Sequence, residues 1–385
     1  MFSLDITTLN QAAFTPLMVV WFLLVCVLWI GYLVLEGFDY GVAMLIPFLG
    51  KSDKERRSII NTIGPVWDGN EVWLLTAGGA MFAAFPAWYS TLFSGLYLPL
   101  FLVLLGLIIR GVAFEYRSKR PNSTWRSWFD WMAAIGSFIV PLVFGVGFAN
   151  FVLGLPVVQS PGGNGLPPGN PSLLVVATQA SDVGSAPYFW QLFSPVGLLG
   201  GVVVVVLFLF HGSIYLSGRT RGDVQARAKK FANVIGIVAI VGGAVFLILQ
   251  NVLHPTGILG WILLVIAAVG LVVAWLMVRM GRHGIAFIGT TVTILAVTVG
   301  IFLAMYGNLG FKDAATGKFL DGNNGMPSMM LHAASSPGTL TIMLVAACIF
   351  VPIVLAYSIW THWVFRRPIT LANIGDDLAK PVLAS

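Results

Sequence analysis

Nine apolar runs, each about 20 residues or longer, divide the chain at 17–45, 59–85, 88–110, 129–154, 190–216, 231–251, 257–278, 284–306 and 338–365. A helix of that length spans the ~30 Å of a bilayer's hydrocarbon. The runs are continuous rather than alternating, and backbone groups in lipid must be satisfied within their own segment, so helices are expected and not a barrel. The chain therefore reads as an all-α polytopic integral membrane protein, with 1–385 a single membrane domain. No repeat of fixed period and no separable soluble domain is visible. Only 9% of the residues are charged, against about 25% in soluble chains.

The basic residues set the expected topology. Nineteen of the 21 Lys and Arg residues fall in alternate connections, and only Lys312 and Lys318 lie on the other side. By the positive-inside rule the N-terminus is outside and the C-terminus cytoplasmic. An odd number of spans requires the same arrangement. The net charge of +6 thus reports topology and not a nucleic-acid surface. Met1–Pro16 holds no basic residue, so the first helix is expected to be an uncleaved anchor. Cys26 and Cys348 lie far apart in apolar runs and suggest neither a disulfide framework nor a metal site. The long external connections are 155–189, with Asp182 its single charge, and 307–337, with Asp313, Asp321, Asn323, Asn324 and His332. The first reads as a flexible connection.

Five carboxylates sit where a charge is costly. Asp68 and Glu71 in "WDGNEVW", Glu36 and Asp39 in "LEGFDYG", and Glu115 in "RGVAFEYRSK" gather on the cytoplasmic half of the first three spans. Asp68 and Glu71 share a helix face at i, i+3, as do Glu36 and Asp39. Protonatable side chains at membrane depth build proton paths. The structural alternative has Arg110 and Arg117 pairing with these acids, while Asp68 caps a helix restarting after Pro65. Of the five histidines only His211 and His362 lie within spans. A haem held by two histidines needs a facing pair at matched depth. These two are expected to be solvated near the interface, which leaves any haem to a partner.

The segments "LEGFDYGVAML", "KSDKERRSIINTIGPVWDGNEVWLLTAGGAMFAAFP", "YSTLFSGLYLPL" and "IIRGVAFEYRSK" closely resemble subunit II of the cytochrome bd quinol oxidases. "TWRSWFDWMAAIGSFIVPLVFGVGFAN", "FSPVGLLGGVV" and "SSPGTLTIMLVAACIFVPIVLAYSIWTHW" extend the resemblance over most of the chain. The resemblance implies a haem-free subunit in a bacterial cytoplasmic (inner) membrane, and small accessory subunits are compatible with it. Its partner, subunit I, would carry haem b and haem d, oxidise quinol and reduce oxygen to water. It also implies a proton path through Asp68, and an oxygen-access route near Trp73 and Arg110; the plain alternative for Trp73 is a packing role. The family often has Asp where this chain has Glu115. Some members hold a structural quinone in this subunit, whose contacts the sequence does not assign. The competing class is a proton-coupled secondary transporter, which also buries acids in a helical bundle, usually with repeated halves and broken helices.

Overall fold

Local signals place the helix starts. The computed structural model describes residues 14–159, 174–176, 190–313, 316–323 and 328–375; Asp182, Asn324 and Lys380 lie outside them. Three helices begin with a hydroxyl residue followed by Pro, a pairing that caps one free N–H and presets φ. They are α1 (Pro16–Leu49), capped by Thr15, and two later helices capped by Ser194 and Ser336. The amphipathic α2 (Asp53–Ile63) opens on a full capping box between Ser52 and Glu55. Then come α3 (Trp67–Ala84), α4 (Pro86–Gly95), α5 (Tyr97–Tyr116) and α6 (Ser123–Leu153). The second half holds α7 (Pro195–Arg219), α8 (Asp223–Leu253), α9 (Gly257–Arg279) and α10 (His283–Ala304). A short α11 (Met329–Ala333) and the long α12 (Pro337–Val364) follow.

Among the described residues, eight helices are long and apolar enough to cross a membrane. α3 is the remaining candidate, 18 residues long and carrying Asp68, Asn70 and Glu71 in its first turns. Two expected spans differ from the expectation. The run 59–85 is broken at 64–66, because Gly64 and Pro65 stop α2 and the chain restarts at Trp67. The run 88–110 is likewise broken at Leu96, between α4 and α5. Apolarity carried both runs across breaks that backbone geometry imposes.

The helices pack as two groups of four, α1 with α3, α5 and α6, and α7 with α8, α9 and α10. The seam between the groups is where α1 and α6 meet α7. Gly41 on α1 lies against Gly212 and the Phe208 carbonyl on α7, and a Cβ there would overlap the backbone. The absent side chain lets two membrane helices touch main chain to main chain. The helix α12 stands apart from both groups. Only Leu340 in it is buried, where its carbonyl accepts from Trp21 Nε1 at 2.9 Å.

Beyond the helices lies a small sheet of β1 (Leu155–Gln159), β2 (Leu174–Val176) and β3 (Phe311–Asp313), in the order β2-β1-β3. β1 runs antiparallel to β2 and parallel to β3, with Leu155 opposite Phe311. The first long connection, read above as flexible, thus contributes β1 and β2, and with β3 from the second it ties the ends of α6 and α10 together.

Candidate functional site

Arg110 is the centre of the site. It lies on α5, fully buried, and its two terminal nitrogens reach Glu36 of α1 at 2.6 and 2.9 Å. The same Nη2 stands 3.4 Å from Glu71 of α3, whose side chain is 26% exposed. Aromatic faces enclose the guanidinium. Its Cζ lies 4.5 Å from the Tyr40 ring centroid, 5.6 Å from Trp67 and 5.9 Å from Phe114. A planar delocalised cation suits this setting, since it pairs in-plane with a carboxylate while its faces stack.

The remaining expected residues divide by burial. Asp39 is buried and accepts from Asn70 Nδ2 at 2.7 Å, and its second oxygen has no partner among the described residues. Tyr32 and Tyr40, also on α1, are fully buried with their hydroxyls 2.6 Å apart. Tyr32, Glu36 and Tyr40 follow at i, i+4 and i+8, so one face of α1 presents the whole row. Asp68 and Glu115 lie on the surface of the chain, within electrostatic reach of one another. Asp68 is in the first turn of α3 and does not cap it: the N-cap is Val66, with no side-chain cap. Trp73 packs against Gly31, where any Cβ would overlap its ring. The structure thus joins Glu36, Glu71 and Arg110 directly and sets Asp39 beside Asn70, while Asp68 and Glu115 stay outside.

A second charge network lies at the same end of the bundle. Asp130, fully buried near the start of α6, accepts from Arg117 Nε at 2.5 Å and from Arg56 Nη1 at 3.0 Å. Asp53 receives Arg117 at 2.9 Å and Arg126 at 3.0 Å. Arg117 therefore serves this network and not the acids of α1 and α3. Glu55 meets Arg227 of α8 at 2.8 Å. These contacts clamp α2 over the ends of α6 and α8. The sequence reading missed Asp53, Asp130, Asn70 and both tyrosines. An acid inside "WFDWM" and a Tyr row in step with Glu36 were the available signals.

His211 is fully buried, contrary to the expectation of a solvated imidazole. Thr290 Oγ1 at 2.6 Å and the Val34 carbonyl at 3.1 Å occupy its two ring nitrogens, and the ring stacks on Phe287 at 4.4 Å. His362 contacts the Ser358 carbonyl through Nδ1 at 2.8 Å. Among the described residues no group of three or more His, Cys, Asp or Glu is placed to hold a metal ion.

Away from the charges, α3, α4, α5 and α6 line a half-open apolar cavity of ≈ 770 Å³, with Met81, Trp88 and Phe148 among its walls and Trp29 of α1 and Phe302 of α10 beside them. Trp88 is 1% exposed, and its indole N–H has no partner among the described residues.

A two-bundle membrane fold with a buried Arg–carboxylate centre places the chain among polytopic helical membrane proteins that keep charge at membrane depth. A sequence profile described as cytochrome bd terminal oxidase subunit II matches residues 17–365, so the chain belongs to that family and is a subunit of an oxidoreductase complex. It is 36% identical over 355 residues to "Cytochrome bd ubiquinol oxidase subunit 2" of Bacillus subtilis (strain 168), covering 91% of this chain and 96% of that one. It is 36% identical over 392 residues to "Cytochrome bd-I ubiquinol oxidase subunit 2" of Escherichia coli (strain K12), covering 92% and 96%. A solved chain of the bd oxidase from Geobacillus thermodenitrificans shares the fold at a TM-score of 0.67 and 15% identity, covering 91% of this chain and 99% of that one.

Two outcomes follow from the charge geometry. Arg110→Gln leaves Glu36 buried without its cation, a loss of ~3–5 kcal/mol. The double variant Arg110→Gln/Glu36→Gln removes both charges and recovers most of that loss in a thermal-melt comparison. A double variant as unstable as the single one contradicts charge pairing as the cause. Burial alone would raise the Glu55 carboxyl, but Arg227 and the Lys51 and Ser52 N–H groups hold it below its ordinary range. A depressed folded pKa contributes stability above the unfolded value of ~4.3, lost as pH falls through the folded one. The melting temperature of the purified protein should fall on acidification below about pH 5, and Glu55→Gln should flatten that dependence.

Proposed function

We propose that this chain is the haem-free subunit of a quinol:oxygen oxidoreductase, docked to a haem-bearing subunit I and lending it a cytoplasmic proton path. Its quinol substrate and its partner follow from the names of the relatives, which are ubiquinol oxidase subunits. The observation that carries the proton reading is the gradation of acids from surface to core: Asp68 and Glu115 exposed, Glu71 half-buried, Glu36 and Asp39 buried. A proton taken up at Asp68 has acceptors at increasing depth, and Asn70 and the tyrosine hydroxyls add groups that both donate and accept. Arg110 offsets the negative charge of the buried members. The transporter reading lacks comparable support.

The exposed face around Asp68 suits a partner. A carboxylate on the outside of a membrane helix requires water or a polar neighbour. Apolar Phe101, Leu104 and Ile108 of α5 are exposed on the same chain, and α12 is bare along nearly its whole length. Subunit I seated there would bury these surfaces and receive the proton across the interface. In this reading haem b and haem d sit in that partner, and His211, hydrogen-bonded at both ring nitrogens, serves packing between α7, α1 and α10.

The apolar cavity fits a structural quinone. The Trp88 N–H would donate to a quinone carbonyl, and Trp29, Phe148 and Phe302 would hold its ring and tail. Its contribution there is packing. The same apolar space, with Trp73 next to its lining residue Leu74 on α3, also suits the entry of oxygen.

In this reading the spans among the described residues number nine when α3 is counted, with the N-terminus outside and the C-terminus in the cytoplasm of a bacterial inner membrane. Reporter fusions placed in 155–189 and in 307–337 should both read as external, and a cytoplasmic signal from either overturns this topology. Asp68→Asn keeps the shape and removes the exchangeable carboxyl proton. Assembly and haem content should survive, while oxygen consumption per haem falls tenfold or more, since a positioned proton-transfer group contributes ~10²–10⁴-fold. Unchanged turnover per haem would refute a relay through Asp68.

A further inference from the structure

The two bundles differ in the carboxylates they set beside their buried and half-buried arginines. In the first, Arg56, Arg110, Arg117 and Arg126 each pair with a carboxylate. In the second, the sequence between Asp223 and Asp313 contains no Asp or Glu at all. Arg227 reaches across to Glu55. Arg221, Lys229, Arg279 and Arg282 form no ion pair among the described residues, although all four lie at one end of the bundle. They converge on the turn between α9 and α10. Lys229 Nζ is 3.9 Å from where a Cβ on Gly281 would sit, and Gly281 makes the turn with φ +74°. Arg279 ends α9, and Arg282 directly precedes α10. The charges of Lys229 and Arg221 both act on His283.

Beside these cations the helix faces are bare and apolar. Val234 and Ile237 of α8 and Ile285 and Ile288 of α10 are exposed, as is Met280 in the turn. Trp275 donates its indole N–H to the Asn233 carbonyl at 3.0 Å, and Arg279 stacks on its ring at 4.4 Å. The guanidinium is thereby held at the boundary between apolar face and charged rim.

We infer that this rim is a binding surface for an anionic phospholipid. Its cations meet the headgroup phosphate, and the exposed faces of α8 and α10 receive the acyl chains. An unpaired cluster of Lys and Arg at a membrane surface attracts anionic lipid within a Debye length. A soluble anion would engage the cations and leave the apolar faces unused. The inference rests on the membrane fold and is independent of the proton path.

The test uses the whole purified oxidase complex, delipidated and placed in phosphatidylcholine nanodiscs with a trace of spin-labelled phosphatidylglycerol or spin-labelled phosphatidylcholine. The readout is the motionally restricted fraction of each label. Wild type should restrict phosphatidylglycerol in excess of phosphatidylcholine. Lys229→Gln/Arg279→Gln/Arg282→Gln should cut that excess at least threefold. The control Lys51→Gln/Lys119→Gln/Arg120→Gln, with the same change in net charge, should keep it. Lys229→Arg/Arg279→Lys/Arg282→Lys should also keep it. If the triple Gln variant does not assemble, Arg282→Gln alone should lower the excess about twofold. Equal loss in the control would mean that the general field attracts the lipid, and overturns the site. An unchanged excess overturns it too, as does loss of a protein chain from the variant complex with lipid retention intact.

Discussion

The bidentate contact between Arg110 and Glu36 organises the first bundle. Both groups are fully buried, and neither tolerates apolar surroundings alone. The pair therefore fixes the approach of α5 to α1, and through Glu71 it also reaches α3. Removing two ions from water costs several kcal/mol each, which only short, well-aligned contacts offset. The stacking of Tyr40 and Trp67 on the guanidinium supplies further stabilisation without competing for its N–H groups. A buried ion pair is a poor way to add stability and a good way to specify one arrangement. It also holds two carboxylates at membrane depth in one place, which apolar packing would exclude.

The clamp on α2 works with this centre. Asp130, Asp53 and Glu55 tie the amphipathic helix to α6 and α8, so the chain enters α3 from a fixed point. The break at 64–66 then turns Trp67 against Phe114, at 5.3 Å between ring centroids. Had α2 and α3 been one continuous helix, Asp68 would lie in mid-span. Instead it falls in a first turn, near the polar boundary, while Asn70, two residues on and on the opposite side of the helix, reaches Asp39. A single Gly-Pro step thus sets the order in which the acids meet water.

Much of this was legible in the residues. Charge placement and run length gave the helical membrane class, and the motifs "WDGNEVW" and "GFDYG" carried the family. The list of acids contained Glu36 and Glu71, the two now joined around Arg110, because carboxylates in apolar runs stand out whatever the packing. What stayed hidden depends on side-chain partners. Arg110 and Arg117 look alike in sequence, seven residues apart, yet one serves Glu36 and the other Asp130; the choice is made by which helix faces each. His211 read as interfacial by position, but Phe287 and Thr290 of α10 close over it, a contact between distant segments. The restart after Pro65 was open to a reading of its Pro, whereas the break at Leu96 was obscured because hydropathy is blind to backbone direction. Trp88 gave no signal, since a tryptophan in an apolar run is ordinary until its N–H is found without an acceptor.

The shortness of α3 has a consequence for the bilayer itself. After its polar first turns, the apolar part runs only from Val72 to Ala84, which at 1.5 Å per residue covers ~20 Å. The hydrocarbon of an ordinary membrane is ~30 Å thick. This helix is therefore mismatched, and the lipid beside it must thin or give way to protein. Thinning on the side of Asp68 draws the water boundary inward to the carboxyl. Under the proposed relay through Asp68, the dry distance a proton crosses would be set partly by membrane thickness, which would make the surrounding lipid one determinant of proton supply.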